Sequence, residues 1–154
     1  MVGSPANLLN DRENVSIRDT IDRLNKHQPP CLTALNGPTE EINLEDKTAL
    51  MSYTIPLDFC HSGNVVQGGF VASMLDAAMS HAVFANIENT TAVLTLELKV
   101  SYLAASLAGP FTAEGKIIRA GRSIAFLDGK LFNEQGELTA TASSTGKIIL
   151  AKTI

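Results

Sequence analysis

The sequence has 154 residues, of which 45% are hydrophobic and 18% are charged, so it suits one globular domain with a core. The net charge of -4, the 5% share of aromatic residues and the absence of Trp argue against nucleic-acid binding. The N-terminus lacks a secretory-signal pattern, and polar residues interrupt the apolar stretch at 65–85. We therefore expect a cytoplasmic protein without a membrane-spanning segment.

The two cysteines, Cys31 and Cys60, do not have the spacing of a metal site. Free thiols are the simplest interpretation for a cytoplasmic protein, and a disulfide is the alternative. His61 follows Cys60 directly, but neighbouring side chains of an extended segment point to opposite faces. This argues against a catalytic thiol–imidazole pair.

The chain divides into an N-terminal arm at 1–30 and a single domain at 31–154. The arm is predicted to carry one short helix, which Ser16 caps and the Pro29–Pro30 pair ends. Residues 31–57 have an extended pattern with turn signals at "NGP" and "LEDK". They predict two or three short antiparallel strands.

The segment "NVVQGGFVASMLDAAMSHAVFA" is too long and too free of helix breakers for a strand, so we predict one long helix at 66–85. The next segment, "AVLTLELKVSYL", alternates with a period of two over residues 92–103 and predicts a strand. Three more strands are predicted at 111–119, 123–132 and 138–149. One helix and a strand meander indicate an α+β domain with an antiparallel sheet of five to six strands around the helix.

Asp76 is the unusual residue of the long helix, because a carboxylate in an apolar run loses hydration unless it has a partner or a function. Gly68 and Gly69 leave backbone N–H groups at the helix start open to a carbonyl oxygen, although two glycines are also ordinary in a turn. Gly68 and Asp76 are eight residues apart, or about 12 Å along a helix axis. They can act on one carbonyl only if a two-fold axis brings two helices together.

The stretch "NVVQGGFVASMLDAA" resembles the "GG, six residues, Asp/Glu" signature of hotdog-fold acyl-CoA thioesterases, in particular the phenylacetate-degradation (PaaI-type) branch. The order of elements over residues 30–150 is also similar. The resemblance implies a hotdog fold, hydrolysis of an acyl-CoA, a homodimer that pairs into a tetramer, and no cofactor apart from the coenzyme A of the substrate.

The resemblance also implies roles for particular residues. The Gly68 N–H polarises the thioester carbonyl, and Asp76 of the opposite subunit acts as nucleophile or general base. Thr95 aligns with a Ser or Thr that in some members helps hold the attacking water. Gln67 stands where many members have His. His61, which completes the candidate catalytic set with Asp76, Gly68 and Thr95, stands where the family usually has an Asn or Gln that positions the water or the thioester.

Two alternatives follow from the same residues. His61 and Asp76 resemble the His and Glu pair of hotdog dehydratases that act on hydroxyacyl thioesters, and a non-catalytic acyl-CoA-binding protein is the other possibility. Asp76 and His81 have the spacing of related hydratases, but on one helix their side chains diverge by about 140°. We therefore expect His81 to be packed or at the surface rather than catalytic.

Further residues are assigned to substrate binding. Arg119 and Arg122 flank a turn at Gly121 and are candidates for the coenzyme A phosphates, as is Lys147 or Lys130, although ordinary surface charge explains each equally well. The apolar candidates for an acyl pocket, which are equally typical of plain core, are Phe59, Val65, Phe70 and Met74. The full substrate-binding set is Gln67, Gly69, Asn64, Ser80, Arg119 and Arg122; no residue is assigned to a metal.

Overall fold

The computed structural model describes residues 5–152, with side chains described for residues 16–152. Residues 1–4 and 153–154, the outer ends of the predicted arm and domain, lie outside the described residues. The elements in chain order are α1 (Pro5–Lys26), α2 (Pro30–Leu35), β1 (Thr39–Asn43), β2 (Thr48–Ile55), a 3-10 turn (Leu57–Phe59), β3 (Cys60–His61), β4 (Val65–Val66), α3 (Gly68–Asn86), β5 (Thr90–Tyr102), β6 (Gly109–Ala120), β7 (Ile124–Asn133) and β8 (Leu138–Leu150).

Six strands form one antiparallel sheet in the order β1-β2-β6-β7-β8-β5, and β3 and β4 form a separate small hairpin. The sheet packs against α3, whose side chains facing it are fully buried. Gly115 of β6 permits this packing, because a Cβ at that position would lie 2.1 Å from the Ala78 carbonyl oxygen. The predicted α+β hotdog fold, with an antiparallel sheet around one central helix, is confirmed.

The core lies between α3 and the concave face of the sheet. The residues of α3 that are no more than 1% exposed are Val71, Met74, Leu75, Ala78, Met79, Ala82 and Val83. Met51, Ala113, Leu131 and Ala140 face them from four strands. The other side of α3 carries Ser73, Asp76, Ala77 and Ser80, which are half-buried or exposed. The helix therefore has one face for packing and another for a ligand or a partner.

Strand β5 departs from the predicted continuous alternation. Thr95 pairs with Gly146 and Glu97 pairs with Thr145, so Leu96 is an extra residue that forms a β-bulge. The extra residue exchanges the faces toward which alternate side chains point. Leu96 is therefore 59% exposed, whereas Leu98 packs against the core. The strand is confirmed, but its period-two alternation is interrupted at Leu96.

The arm also differs from the prediction. Helix α1 already includes Pro5, so Ser16 lies within the helix and does not cap it; its carbonyl accepts a hydrogen bond from the Thr20 hydroxyl at 3.0 Å. The Pro29–Pro30 pair ends α1 and also begins α2 at Pro30, where extended structure was expected. Proline suits the first position of a helix, because its missing N–H would have no partner there.

Two side chains at the end of α1 fasten the arm to the sheet. Asn25 pairs with both backbone groups of Thr39, accepting from its N–H at 2.8 Å and donating to its carbonyl at 2.9 Å. Gln28 donates to the Gly37 carbonyl at 2.8 Å. These bonds hold the arm beside α3. No helix within residues 5–152 combines the length and the apolar character that crossing a membrane requires.

Candidate active site

The start of α3 leaves one backbone donor open. The Gln67 side chain caps the helix by accepting from the Gly69 N–H at 2.7 Å, and the Gln67 carbonyl accepts from the N–H groups of Phe70 and Val71. The Gly68 N–H has no hydrogen-bond partner among the residues that the structure describes. Of the first four N–H groups of the helix, Gly68 therefore supplies the free one.

Tyr102, at the end of β5, fixes the position of Gly68. Its hydroxyl donates to the Gly68 carbonyl at 2.8 Å. A Cβ on Gly68 would lie 3.0 Å from that hydroxyl, so the glycine allows the close approach of strand and helix. Tyr102 was not among the residues assigned from sequence, because the bulge that turns it toward α3 leaves no obvious sequence signal.

Asp76 is half-buried on α3 and has a specific partner. The Thr95 hydroxyl donates to an Asp76 carboxylate oxygen at 2.8 Å. This bond holds the carboxylate against β5 instead of leaving it free to rotate. Asp76 and Thr95, to which the family resemblance gives roles in the same reaction, are thus in direct contact.

Asp76 lines a groove of about 940 Å³ between α3 and the arm. Phe59 and Phe70 form a stacked pair in its wall, with ring centroids 4.3 Å apart, while Leu24 of the arm and Leu32 of α2 line another side. Ser80 also lines the groove, as does Phe84 near its other end. The groove is therefore largely apolar, with a carboxylate in its lining, as an acyl chain beside a reactive carbonyl would require.

Two of the predicted acyl-pocket residues occupy other places. Met74 is fully buried in the core against the sheet, and Val65 lies in the β3–β4 hairpin outside the groove lining. Both were selected because they are apolar and close in sequence to Asp76. Met74 is two residues before Asp76 on the helix, which puts it on the opposite, core-facing side.

His61 is exposed in the β3–β4 hairpin, and its Nδ1 lies 3.1 Å from the Ser62 hydroxyl. No hydrogen bond joins His61 to Asp76 in the described part of the chain. Cys60 and Cys31 are free thiols, as predicted. Asn64 is exposed beside the hairpin, and its carbonyl accepts from the Ala108 N–H at 2.8 Å.

Arg119 and Arg122 are exposed where β6 ends and the turn to β7 begins. Neither belongs to the lining of the groove. Lys147 pairs with Ile124 at the start of β7 and so lies beside the same turn, whereas Lys130 pairs with Glu114 further along the sheet. Within the described residues, no group of three or more His, Cys, Asp or Glu side chains could hold a metal ion.

His81 is packed in the interior, which is one of the two places expected for it from the sequence. It is 5% exposed on α3, its Nδ1 lies 2.7 Å from the Thr39 hydroxyl oxygen, and burial lowers its pKa to about 4. The ring also belongs to the lining of the groove. The sequence offered no sign of the Thr39 contact, because the two residues are far apart along the chain.

Comparisons with known proteins agree with this fold. A family model described as the thioesterase superfamily matches residues 63–140. A candidate esterase from Saccharolobus solfataricus is 30% identical over 111 residues, which cover 72% of this chain and 79% of that protein.

Solved structures give the same result. A phenylacetic acid degradation-related protein and candidate thioesterase from Ralstonia eutropha JMP134 is 27% identical, with a TM-score of 0.75 over 83% of this chain and 98% of that chain. The E. coli PaaI protein, from the phenylacetic acid degradation operon, is 19% identical with a TM-score of 0.71, over 79% of this chain and 86% of that chain.

The chain therefore belongs to the thioesterase superfamily and is a thioester hydrolase with the hotdog fold. The predicted similarity to PaaI-type proteins is confirmed by the two structural matches.

Proposed function

We propose that this protein hydrolyses an acyl-CoA thioester at a site shared by two subunits. The Gly68 N–H of one subunit binds the carbonyl oxygen, and Asp76 of the other acts on the carbonyl carbon. The observation that carries this proposal is the arrangement on α3: an unpartnered N–H at its first residue and a carboxylate held by Thr95 eight residues later.

The separation of these two groups requires a second subunit. Eight residues of helix span about 12 Å, whereas an oxyanion donor and a carboxylate serving one carbonyl both lie within roughly 3 to 5 Å of it. Two α3 helices that run antiparallel about a two-fold axis bring Gly68 of each near Asp76 of the other. Two equivalent sites then form in each dimer.

The free edge of the sheet supports such a dimer. β5 is 13 residues long and, within residues 5–152, pairs with β8 alone, so its other edge carries backbone groups without a strand partner in this part of the chain. Long free edges favour pairing with another strand. Antiparallel pairing of two β5 edges would continue the sheet across the dimer and bring the two α3 helices next to each other.

The chemistry needs no further group. In the general-base form, Asp76 takes a proton from water, and the oxygen of that water bonds to the carbonyl carbon. Negative charge gathers on the carbonyl oxygen, where the Gly68 N–H and the positive end of α3 stabilise it. The carbon–sulfur bond then breaks, and coenzyme A leaves as a thiolate that takes up a proton. In the nucleophilic form, an Asp76 carboxylate oxygen bonds to the carbonyl carbon, the carbon–sulfur bond breaks, and coenzyme A leaves as a thiolate that takes up a proton. Water then cleaves the resulting anhydride, which releases the acid and restores the Asp76 carboxylate.

The direct test measures thiol release from a panel of acyl-CoAs. The panel includes phenylacetyl-CoA, because a structural relative is related to phenylacetic acid degradation, together with acetyl-, hexanoyl- and decanoyl-CoA. We expect saturable thiol release with at least one of them. Tight binding of these compounds without any release would contradict the proposal and favour a non-catalytic binder.

The same assay separates hydrolysis from hydration. A hydratase that uses His61 and Asp76 removes the absorbance of an enoyl-CoA without releasing thiol, and it loses that activity in His61→Ala. We expect His61→Ala to keep thiol release within about tenfold of wild type. The His61 ring is exposed, lies within hydrogen-bond distance of Ser62 and has no hydrogen bond to Asp76.

A further inference from the structure

Among the polar residues that line the groove, His81 is buried and has no part in the proposed hydrolysis. His81 lies five residues after Asp76 on α3, is 5% exposed and lines the same groove. On one side its Nδ1 lies 2.7 Å from the hydroxyl oxygen of Thr39, the first residue of β1. Thr39 is itself held in place by two hydrogen bonds between its backbone and the Asn25 side chain.

The Thr39 contact fixes which ring nitrogen carries the proton. Thr39 is 1% exposed, so its hydroxyl proton needs an acceptor within the protein. Nδ1 of His81 is the acceptor that the described residues offer it. A neutral imidazole has one donor and one acceptor nitrogen, so an accepting Nδ1 places the proton on Nε2. The ring is neutral at pH 7, because burial lowers its pKa to about 4.

The Nε2–H has no hydrogen-bond partner among the described residues and lies on the side of the ring away from Thr39. Every fully enclosed side-chain nitrogen or oxygen in the described part of the chain has a hydrogen-bond partner, so Nε2 is not fully enclosed. Nε2 is therefore accessible, and the groove is the open space beside this otherwise buried residue. Phe84 stands perpendicular to the ring at a centroid distance of 6.0 Å and adds an apolar wall.

We propose that the His81 Nε2–H is a specificity-determining donor, which selects acyl groups that carry an acceptor oxygen part-way along an otherwise apolar chain. The proposal rests on the proposed function for the position of the thioester next to Asp76. Five residues of helix separate the two side chains by about 7.5 Å along the axis, and the side chains diverge by about 140° around it, so the path between them through the groove is longer than about 7.5 Å. An extended chain advances about 1.2 Å per bond, so the oxygen lies at least about six bonds from the thioester carbon.

The test uses isothermal titration calorimetry with non-hydrolysable thioethers of three lengths, S-(6-oxoheptyl)-, S-(8-oxononyl)- and S-(10-oxoundecyl)-CoA, each compared with the S-alkyl-CoA of the same length. The ketone accepts a hydrogen bond and cannot donate one, so it suits an Nε2–H. We expect one oxo compound to bind wild type about three- to tenfold more tightly than its alkyl counterpart, as one neutral hydrogen bond provides. Equal affinities within all three pairs would overturn the proposal.

Two variants of His81 are matched to the two ring nitrogens. In His81→Asn an amide oxygen can take the place of Nδ1 toward Thr39, but nothing reaches the groove; we expect the preference to disappear. In His81→Gln the longer amide returns a donor to the position of Nε2, and we expect the preference to recover. The same preference in wild type and both variants would overturn the proposal.

Two further measurements test the role of His81 without a variant that must fold and without turnover of a substrate. Long-range ¹H–¹⁵N spectra of wild type report the imidazole tautomer directly, and a proton on Nδ1 would overturn the assigned donor. Binding of the thioethers does not require hydrolysis. A binding preference without thiol release from acyl-CoAs therefore overturns only the proposed function, whereas thiol release without the preference overturns only the role of His81.

Discussion

The hydroxyl of Thr95 donates a hydrogen bond of 2.8 Å to the carboxylate of Asp76. This contact depends on the bulge at Leu96, because the bulge lets Thr95 face α3 on one side of it while Leu98 and Tyr102 face α3 on the other. One irregularity in β5 thus aligns the strand with both ends of the candidate site. Asp76 is held in one orientation as a result.

Replacing Thr95 with Val should lower kcat about three- to tenfold, with little change in KM, because the carboxylate loses one hydrogen bond and its fixed orientation. Thr95→Ser keeps the hydroxyl and should restore most of the activity. Steady-state thiol release measures both values. Equal kcat for Thr95→Val and wild type would show that the bond does not contribute to catalysis.

Asp76→Asn should lower kcat by about 10²- to 10⁴-fold, the range for loss of a general base, while the protein remains folded. Glu134→Gln, which removes an exposed carboxylate from the β7–β8 turn, is the matched control and should retain full activity. Near-normal turnover by Asp76→Asn would exclude a catalytic role for this carboxylate.

A single-turnover reaction in ¹⁸O-water separates the two possible roles of Asp76. If Asp76 attacks the carbonyl, water cleaves an anhydride and one ¹⁸O enters either the Asp76 carboxylate or the product. If Asp76 activates water, ¹⁸O enters only the product acid. Mass spectrometry of the peptide that contains Asp76 detects this label, and ¹⁸O in that peptide would show that Asp76 attacks the carbonyl.

Gly68→Pro removes the proposed oxyanion donor with little disturbance of the helix. Gly68 is the first residue of α3, where proline is favoured, and Gln67 already has a ψ of 136°, which suits a residue before proline. We expect kcat to fall by about 10²- to 10³-fold, as for loss of other oxyanion donors.

Gly68→Ala is the control for this substitution, because it adds a Cβ at the same 3.0 Å distance from the Tyr102 hydroxyl and keeps the N–H. Its kcat should fall by less than about tenfold. If the alanine and proline variants lose the same activity, the effect comes from the Cβ, and the N–H is not the oxyanion donor.

His81 should make stability depend on pH. Its pKa is about 4 when folded, because it is buried, and about 6.5 when unfolded. The unfolded chain therefore binds the proton first as the pH falls, so the free energy of unfolding decreases between about pH 6.5 and pH 4, by about 3 kcal/mol in total. Above pH 6.5 this contribution is constant.

Urea unfolding at pH 7 and pH 5 measures the effect, with His81→Asn as the variant that lacks the titrating group. The difference in unfolding free energy between wild type and the variant should shrink at pH 5. The same difference at both pH values would contradict the assignment. The exposed His27 and His61 remain in both proteins and cancel in the comparison.

The regular elements could be predicted from the sequence because their patterns are local. The helix at 68–86 and the strands after it follow from apolar runs, alternation and turn residues, and their ends lie within a few residues of those predicted. The bulge at Leu96 could not be predicted, because an extra residue depends on the register with β8. Helix α2 was missed because Pro29–Pro30 marks the end of one helix as well as the start of another.

The site was predictable to the extent that it lies on one helix. Gly68, Asp76 and their spacing are visible in the sequence, and so is the need for a second subunit if both serve one carbonyl. The contacts of Tyr102 with Gly68 and of Thr39 with His81 join residues 34 and 42 positions apart. Such contacts depend on the packing of strands against α3, which no local pattern records.

The central claim is that Gly68 of one subunit and Asp76 of the other form each site, and subunit mixing tests it most directly. Asp76→Asn and Gly68→Pro, each nearly inactive alone, are unfolded together, refolded in equal amounts and assayed for thiol release. If sites are shared, each mixed dimer has one intact site, and activity should return to about one quarter of wild type. Activity that stays at the level of the separate variants, although mixed dimers have formed, would contradict the shared site.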